Sequence, residues 1–364
     1  MWLKLCRCAP RTLLLFLLLS NALAAPPQFA LVTPLTLGNA LVFPRDFGAH
    51  PAFRTEWWYA TGWLQTPDQK PIGFQITFFR SATGQGAANP SSFAPKQLII
   101  AHAALSDPAQ KKLLHSEKSA RQGFGLAYAA EGNTEVKLDD WQLARSADGS
   151  YQARVGNRDF ELQLTLQPTQ PLMLQGDSGY SRKGTQPQQA SYYYSEPQLA
   201  VTGTLKRQGQ PVTVTGTAWL DHEWSSSVLD ADAAGWDWLG ANLDDGGALM
   251  AFRIRGKTGR TLWSHAALRN RDGKMTQFVQ DTVLFTPQRH WRSPRTTATY
   301  PVAMQIRTGG MLWQLIPLQD DQELDARRST GTVYWEGAVT INRDGAPAGR
   351  GYLEMTGYDQ ALKL

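Results

Sequence analysis

The sequence predicts an all-β protein, because apolar and polar residues alternate with a period of two in segment after segment. Long stripes of apolar residues at helical spacing are absent from the sequence. The alternating segments are residues 72–78, 98–104, 160–166, 212–220 and 248–254, with a further one around Val333 and Trp335.

Turn signals separate these segments, at residues 67–68, 208–209, 244–247, 271–273 and 343–345. Short antiparallel strands at this spacing are typical of β-sandwiches or up-and-down barrels. A barrel leaves no free sheet edge and can enclose one apolar ligand.

Residues 1–24 have the composition of a cleaved secretory signal peptide. Three basic residues precede the apolar run 13–19, and Ala22 and Ala24 supply the small residues that a signal peptidase reads. The run is shorter than the roughly 20 apolar residues of a membrane-spanning helix, although an uncleaved anchor is the alternative. We therefore expect export across a bacterial-type inner membrane and a soluble periplasmic protein, cut after Ala24.

Charge and cysteine content both change once this segment is removed. The full chain has 36 Lys and Arg against 31 Asp and Glu, and three of the basic residues lie in the segment, which leaves 33 and a net charge of +2. A nucleic-acid partner would require a concentrated basic patch, and the sequence shows none. Both cysteines, Cys6 and Cys8, leave with the segment, so we expect neither disulfides nor thiol chemistry.

The chain is long enough for two domains. Residues 175–189 are rich in Gly, Ser and Gln and indicate a loop, and a hairpin from about residue 199 to 224 follows it. We assign that hairpin to the first domain. The predicted domains are therefore residues 25–224 and 225–364.

The segment from His50 to Tyr59, which ends in the motif Glu-Trp-Trp-Tyr at residues 56–59, is the first candidate site. In a strand, Glu56 and Trp58 share one face, and the other two aromatic residues share the opposite face. A carboxyl group buried beside Trp favours its protonated form and can act as a general acid. The alternative is that Glu56 forms an ion pair with Arg54 or Arg80 at a barrel rim.

The motif Asp-His-Glu-Trp at residues 221–224 is the second candidate. Alternation places His222 and Trp224 on the apolar face of the preceding strand, and it places His102 on the apolar face of residues 98–104. A neutral imidazole on such a face can exchange a proton near pH 7. We therefore expect both histidines inside one enclosed cavity, whereas the alternative is a core histidine bonded to a neighbouring carbonyl.

Thirteen tryptophans give the chain a large aromatic content, and Trp236 and Trp238 share one face of a predicted strand. They are expected either to line a pocket for an apolar ligand or to fill barrel ends and domain contacts. Two histidines and a carboxylate are a known metal-ligand set. However, the sequence lacks His-Glu-x-x-His, and Asp221 and Glu223 should point away from His222, so we expect no metal and no cofactor.

Four motifs together resemble the AttH-type family of predicted secreted hydrolases, which is related to the carotenoid 1,2-hydratase hydroxyneurosporene synthase. The motifs are residues 50–62, which include Glu-Trp-Trp-Tyr-Ala-Thr-Gly (56–62), Ala-His-Ala-Ala-Leu-Ser-Asp (101–107), Gly-Thr-Ala-Trp-Leu-Asp-His-Glu-Trp (216–224) and Gly-Tyr-Leu-Glu-Met-Thr-Gly-Tyr (351–358). The resemblance implies two packed lipocalin-like β-barrels, with His222 and Trp224 in a hydratase-like site. It also implies a carboxylate on the strand after residue 224, but residues 249–253 contain no acid.

These observations lead to one functional hypothesis and two alternatives. The hypothesis is a pocket for a bulky lipid or terpenoid, with acid–base hydrolysis or hydration by Glu56, His102 and His222. The residues expected to line the pocket are Trp57, Trp58, Tyr59, Trp224, Trp236 and Trp238. The alternatives are a non-enzymatic lipid carrier and an accessory protein of an inner-membrane transport complex.

Overall fold

The computed structural model describes residues 29–34, 40–84, 89–227 and 229–362. The described residues are all-β, with 23 strands and three short 3-10 turns, which confirms the predicted fold class. Within these ranges, no helix is long and apolar enough to cross a membrane. The predicted signal peptide, residues 1–24, lies outside the described residues.

The described residues form two antiparallel sheets. The first comprises β1 (Thr55–Gln65), β2 (Pro71–Ala82), β3 (Gln97–Asp107), β4 (Lys112–Arg121), β5 (Ala127–Ala129), β6 (Glu135–Leu138), β7 (Trp141–Arg145), β8 (Tyr151–Gly156), β9 (Phe160–Gln167), β10 (Met173–Leu174), β11 (Tyr180–Arg182), β12 (Ala190–Arg207) and β13 (Gln210–Ser227). The second comprises β14 (Ala233–Leu243), β15 (Ala248–Gly256), β16 (Thr261–Arg269), β17 (Met275–Val279), β18 (Val283–Arg292), β19 (Thr299–Thr308), β20 (Met311–Pro317), β21 (Glu323–Ala326), β22 (Thr332–Arg343) and β23 (Ala346–Met355).

Each sheet curls into a barrel-like unit. The first sheet runs β4-β3-β2-β1-β13-β12-β9-β8-β7-β6-β5, and β3 contacts β5 and β6, so the sheet nearly closes. The second runs β17-β16-β15-β14-β23-β22-β20-β19-β18. We call these units barrel A and barrel B. Two packed barrel-like units of this kind form a lipocalin-like architecture.

Each barrel has its own apolar interior. In β9, burial alternates strictly along the strand, because one face lies in the barrel A core and the other faces solvent. In β15, by contrast, every residue is buried. This strand belongs to both the barrel B core and the contact between the barrels, so the sequence pattern there does not distinguish inside from outside.

The outer faces of the two barrels pack against each other along an aromatic surface that we call the seam. It includes Tyr59, Trp63 and Trp219 from barrel A and Trp238 and Phe252 from barrel B. The indole nitrogen of Trp63 donates to the carbonyl of Gly351 at 3.0 Å, and the indole nitrogen of Trp238 donates to the Tyr193 hydroxyl at 3.0 Å. Hydrogen bonds as well as apolar burial therefore hold the barrels together.

A glycine permits the close approach between β1 and β13, the strand that carries His222. Gly216 lies opposite Leu64 in the β1–β13 ladder, and a Cβ at Gly216 would lie 1.9 Å from the Trp63 carbonyl oxygen. Any side chain there would force the two strands apart.

We therefore predict that Gly216→Ala lowers the free energy of unfolding by about 3 kcal/mol, the upper range for overpacking a filled site. Gly310→Ala is the control, because a Cβ at Gly310 meets only open space, and it should change stability by less than about 0.5 kcal/mol. Urea unfolding followed by tryptophan fluorescence would measure both. Equal midpoints for the two variants would contradict the close approach.

Candidate functional site

Two residues named from the sequence, Glu56 and His222, meet at one end of barrel A. In the β1–β13 ladder Trp58 lies opposite His222 and Glu56 lies opposite Trp224, so all four face the interior. His222 Nε2 is 2.8 Å from Glu56 Oε1, and both side chains are fully buried. The predicted sharing of one face by Glu56 and Trp58 is confirmed.

The Glu56 carboxylate accepts hydrogen bonds from three residues. Oε1 also lies 2.7 Å from His50 Nδ1, while Oε2 accepts from Arg80 Nε at 2.7 Å and from the His50 backbone nitrogen at 2.9 Å. Burial raises the pKa of Glu56, but the hydrogen bonds from His222 and His50 outweigh it and hold the pKa below its usual range. Glu56 is therefore an anion at neutral pH. The interpretation of Glu56 as a protonated general acid is wrong, and the alternative ion pair with Arg80 is confirmed.

His222 bridges Glu56 and a tyrosine. Its Nδ1 lies 3.0 Å from the Tyr194 hydroxyl, and the Trp58 ring stacks on the imidazole at 4.6 Å. Burial lowers the pKa of His222 to about 4, although Glu56 opposes this shift. The imidazole is thus neutral near pH 7. Burial also raises the pKa of Tyr194 well above its usual value, so the Tyr194 hydroxyl stays protonated and donates a hydrogen bond to Nδ1.

His50 is the member of the site nearest to solvent. Its side chain is 15% exposed, and its ring stacks on that of Trp224 with 3.7 Å between the centroids. Its Nε2 lies 3.3 Å from Asp46 Oδ1. Burial lowers the pKa of His50, but hydrogen bonds to Asp46 and Glu56 raise it more, so the net shift is upward. Two histidines on one carboxylate oxygen therefore have pKa values displaced in opposite directions.

An apolar cap covers this end of the barrel. Phe43 and Phe47 lie 5.2 Å and 5.9 Å from the Tyr194 ring, measured between ring centroids. Further partly buried side chains surround them, namely Leu41, Phe53, Leu172, Leu174 and Tyr192. The cap separates the Glu56–His222 pair from solvent.

The structure does not bring His102 to this site. His102 lies opposite Thr77, whereas Phe78 lies opposite Trp58, so His102 and His222 point to opposite faces of the barrel A sheet. His102 Nδ1 lies 2.7 Å from the Tyr334 hydroxyl of barrel B, and Nε2 lies 2.8 Å from Ser329 Oγ. The expectation of one cavity holding both imidazoles is therefore wrong. Apolar residues do alternate along β3, but barrel B also buries the outer face of this strand, on which His102 lies.

The aromatic residues divide in the same way. Trp58 and Trp224 contact His222, and the predicted shared face of His222 and Trp224 is confirmed. The other four, Trp57, Tyr59, Trp236 and Trp238, lie in the seam between the barrels.

The surface of the described residues includes two open depressions away from this site. One, of about 510 Å³, lies between the barrels beside Gln198 and Asn242, and the other, of about 340 Å³, lies on the outer face of β7–β9 beside Arg154. Neither is lined by Glu56, His102 or His222. An apolar ligand at the Glu56–His222 pair would have to displace part of the cap.

Sequence reasoning included His50 in its first candidate segment but gave it no role; it gave none to Tyr194 or Asp46, and it named Arg80 only as a possible partner. His50 begins the segment 50–59 that contains Glu56, so its position six residues before Glu56 was the available signal. Tyr194 is one of three consecutive tyrosines, and alternation alone did not select it. Only the β12–β13 pairing, in which Tyr194 lies opposite His222, identifies it.

His50, Glu56 and His222 could also hold a metal ion, because their ligand atoms all lie within 4.8 Å of one another. However, the Glu56 carboxylate oxygens already accept hydrogen bonds from three residues, His50, Arg80 and His222. The guanidinium of Arg80, 2.7 Å from Oε2, would repel a cation. These residues fit an acid–base site better than a metal site.

The geometry defines a two-barrel β-protein with a buried His–Glu pair at one end of the first barrel. The chain belongs to the AttH-like family, whose model matches residues 34–358. No protein of curated function matches the chain significantly.

Three solved structures are similar to the chain. The crystal structure of an AttH candidate from Nitrosomonas europaea is 62% identical, covers 90% of this chain and 99% of its own, and has a TM-score of 0.85. Kievitone hydratase from Nectria haematococca is 13% identical, with coverage of 92% and 98% and a TM-score of 0.69. CghA is 15% identical, with coverage of 93% and 98% and a TM-score of 0.52. The last two share the fold.

The lowered pKa of His222 makes stability depend on pH. Because the folded protein binds a proton at His222 only near pH 4 while the unfolded chain binds one near pH 6.5, acidification favours unfolding in this window. Wild type loses free energy of unfolding between pH 7 and pH 5. We predict that this loss is about 2 kcal/mol smaller in His222→Gln. Urea unfolding at both pH values measures the difference.

The exposed His290, changed to Gln, serves as the matched control and should leave that loss unchanged. His102 and His265, whose pKa values burial also lowers, contribute equally to both proteins. If His222→Gln and wild type lose the same stability, His222 is not held neutral by the fold.

Proposed function

We propose that this AttH-like protein is an acid–base enzyme of the hydratase or hydrolase type, acting on an apolar substrate at the capped end of barrel A. The observation that carries the proposal is the chain of contacts from Glu56 through His222 to Tyr194. A buried carboxylate orients a neutral imidazole, and that imidazole faces a hydroxyl group. The same arrangement of roles activates hydroxyl groups in other enzymes.

The proton path follows from these contacts. The Tyr194 oxygen takes a proton from a water molecule while its own proton passes to Nδ1 of His222. The resulting imidazolium is stabilised by the Glu56 anion at 2.8 Å. The water oxygen, now a stronger nucleophile, adds to the substrate.

His50 is suited to the complementary role. Its pKa is raised while that of His222 is lowered, and two titrating groups displaced in opposite directions are the usual basis of an acid and a base assignment. His50 is also the more exposed of the two. In this proposal His50 supplies the proton that the substrate needs after attack by water.

The substrate class follows from the cap and from the aromatic walls. Phe43, Phe47, Trp58 and Trp224 would contact a lipid-like or terpenoid body once the cap has opened. A hydratase among the structures of the same fold supports the reaction class at the level of fold only. The composition of residues 1–24 supports a periplasmic location.

A carrier function is the second candidate, and the cap is the observation that favours it. Its apolar side chains alone would bind a lipid without any chemistry. Such a carrier could work with an inner-membrane transport complex.

The test begins by identifying, with native mass spectrometry, the small molecules that co-purify with the protein from its native periplasm. We predict that wild type converts such a molecule and that His222→Gln lowers the turnover by a hundredfold or more, the usual contribution of a general base, while binding persists. His290→Gln, the exposed control, should turn over as wild type does. Binding by wild type without any conversion would support the carrier and refute the enzyme.

A further inference from the structure

Large apolar side chains are exposed at the capped end of barrel A. Among the described residues, eight large hydrophobic side chains are exposed, and five of them belong to barrel A or to the segment before it. We call these five the exposed patch: Leu31, Val42, Phe93, Phe124 and Leu126, each at least 51% exposed. Single exposed apolar residues are common, whereas a cluster of them marks an interaction surface.

Phe124 lies at the tip of the hairpin between β4 and β5. It is flanked by Gly123 and Gly125, and an antiparallel bridge between Gly123 and Ala127 closes the turn. Its φ is +57°, in the left-handed region that a bulky residue rarely adopts. A Cβ at Gly125 would meet no atom within 4 Å, so the tip projects from the barrel. An unfavourable backbone that holds an aromatic ring outside indicates a function for that ring.

Phe93 and Arg121 accompany Phe124. The two phenyl rings are 5.4 Å apart between centroids, and the guanidinium of Arg121 lies 5.1 Å from the Phe93 centroid and 4.8 Å from the Phe124 centroid. The rings nevertheless remain 66% and 62% exposed. Apolar groups with a cationic side chain beside them are typical of a membrane–water interface.

Gln97 connects the hairpin tip with the Glu56–His222 site. The Gln97 backbone carbonyl accepts a hydrogen bond from the backbone nitrogen of Gln122 at 2.8 Å. Its side-chain Oε1 accepts from Arg80 Nη1 at 2.7 Å, and Arg80 in turn holds Glu56. The projecting tip and the buried carboxylate are therefore at the same end of barrel A.

The members of the patch that precede β1 lie beside the cap. Val42 lies between two cap residues in the chain. The backbone nitrogen of Ala30, next to Leu31, donates to the Ala52 carbonyl at 2.9 Å, in the loop that carries His50. The exposed patch thus lies where an apolar substrate would enter once the cap has opened.

The charged groups nearest the phenyl rings are basic. Arg54 and Lys96 are exposed, and Arg121 lies over both rings. The carbonyl of Arg54 accepts from Ala82 at 2.7 Å and that of Lys96 accepts from Thr83 at 3.1 Å, so the two cationic residues flank the end of β2.

Acidic groups near the patch are fewer. Asp139, whose backbone nitrogen donates to the Leu126 carbonyl, and its neighbour Asp140 both contact Lys118, which compensates one of the two charges. Glu131 is a further exposed acid. The local charge beside the rings is therefore positive, which suits anionic phospholipid headgroups.

A fluid bilayer fits these features better than a folded partner does. The patch includes a loop tip that projects into open space. A folded partner would need a surface shaped to that tip. The boundary between headgroups and acyl chains, by contrast, accommodates any apolar side chain and attracts basic ones.

We propose that the exposed patch docks on the surface of a phospholipid bilayer with anionic headgroups, with Phe93 and Phe124 inserted at the interface. Docking turns the capped end of barrel A towards the lipid phase. An apolar substrate dissolved in the bilayer would then reach the cap without crossing water, and this last step rests on the proposed function, whereas docking itself requires no catalysis.

The test is flotation of the protein, purified from its native periplasm, with two kinds of vesicle. One kind is phosphatidylcholine alone, and the other is an equal mixture of phosphatidylcholine and phosphatidylglycerol. We predict that the protein floats with the mixed vesicles. The neutral vesicles should bind it at least about fivefold more weakly, the contribution of one basic residue near an anionic surface.

Phe93→Ser and Phe124→Ser should each weaken binding to the mixed vesicles at least about tenfold, as expected for the lost burial of one phenyl ring. Leu284→Ser is the matched control, because Leu284 is 50% exposed on barrel B, and it should bind as wild type does. All three changes are at exposed positions, so the variants should fold, and urea unfolding checks that they do. His222→Gln should also float as wild type does, which separates docking from turnover.

The proposal is overturned if wild type floats with neither kind of vesicle or binds both equally well. It is also overturned if Leu284→Ser weakens binding as much as the two phenylalanine variants do. Sedimentation velocity provides the remaining outcome, since a dimer that the phenylalanine variants abolish, found without vesicle binding, would assign the patch to contact between two copies of the chain.

Discussion

The buried negative charge of Glu56 is the constraint on which the functional end of barrel A depends. An ionised carboxylate removed from water is very costly unless it is paired and hydrogen-bonded. Glu56 satisfies this requirement with Arg80 from β2, His222 from β13 and His50 from the segment before β1. Arg80 also donates to the carbonyl of Phe53. The charge of Glu56 therefore holds β2, β13 and the loop before β1 in one arrangement. The position of that loop in turn sets the position of the cap.

The sequence predicts which side chains face the interior where one face of a strand is exposed to solvent. The strict alternation of residues 160–166 predicts β9 correctly, and the alternation in residues 212–220 correctly places His222 and Trp224 inside barrel A. The four motifs predict the family and the paired barrels correctly, through their resemblance to the AttH-type family. The strand predictions succeeded because they depend on a local cause, namely the side-chain period along one strand.

The sequence was not informative where both faces of a strand are dry. His102 lies on an apolar-looking face of β3, but that face is buried by barrel B, and no local pattern reveals which of two buried faces is the interior. The state of Glu56 was equally hidden, because it depends on His50, Arg80 and His222, which tertiary pairing brings together. Tyr194 became visible only through its register with His222.

The dry seam has a consequence for biosynthesis. Most barrels present a polar exterior to water, but barrel A presents tryptophan and tyrosine side chains that only barrel B covers. The strands of barrel A are synthesised first, and those of its cover follow from β14 onwards. Until barrel B has folded, the chain exposes the aromatic surface of barrel A, which is prone to aggregate. Folding of the chain should therefore depend on chaperones that shield apolar surfaces.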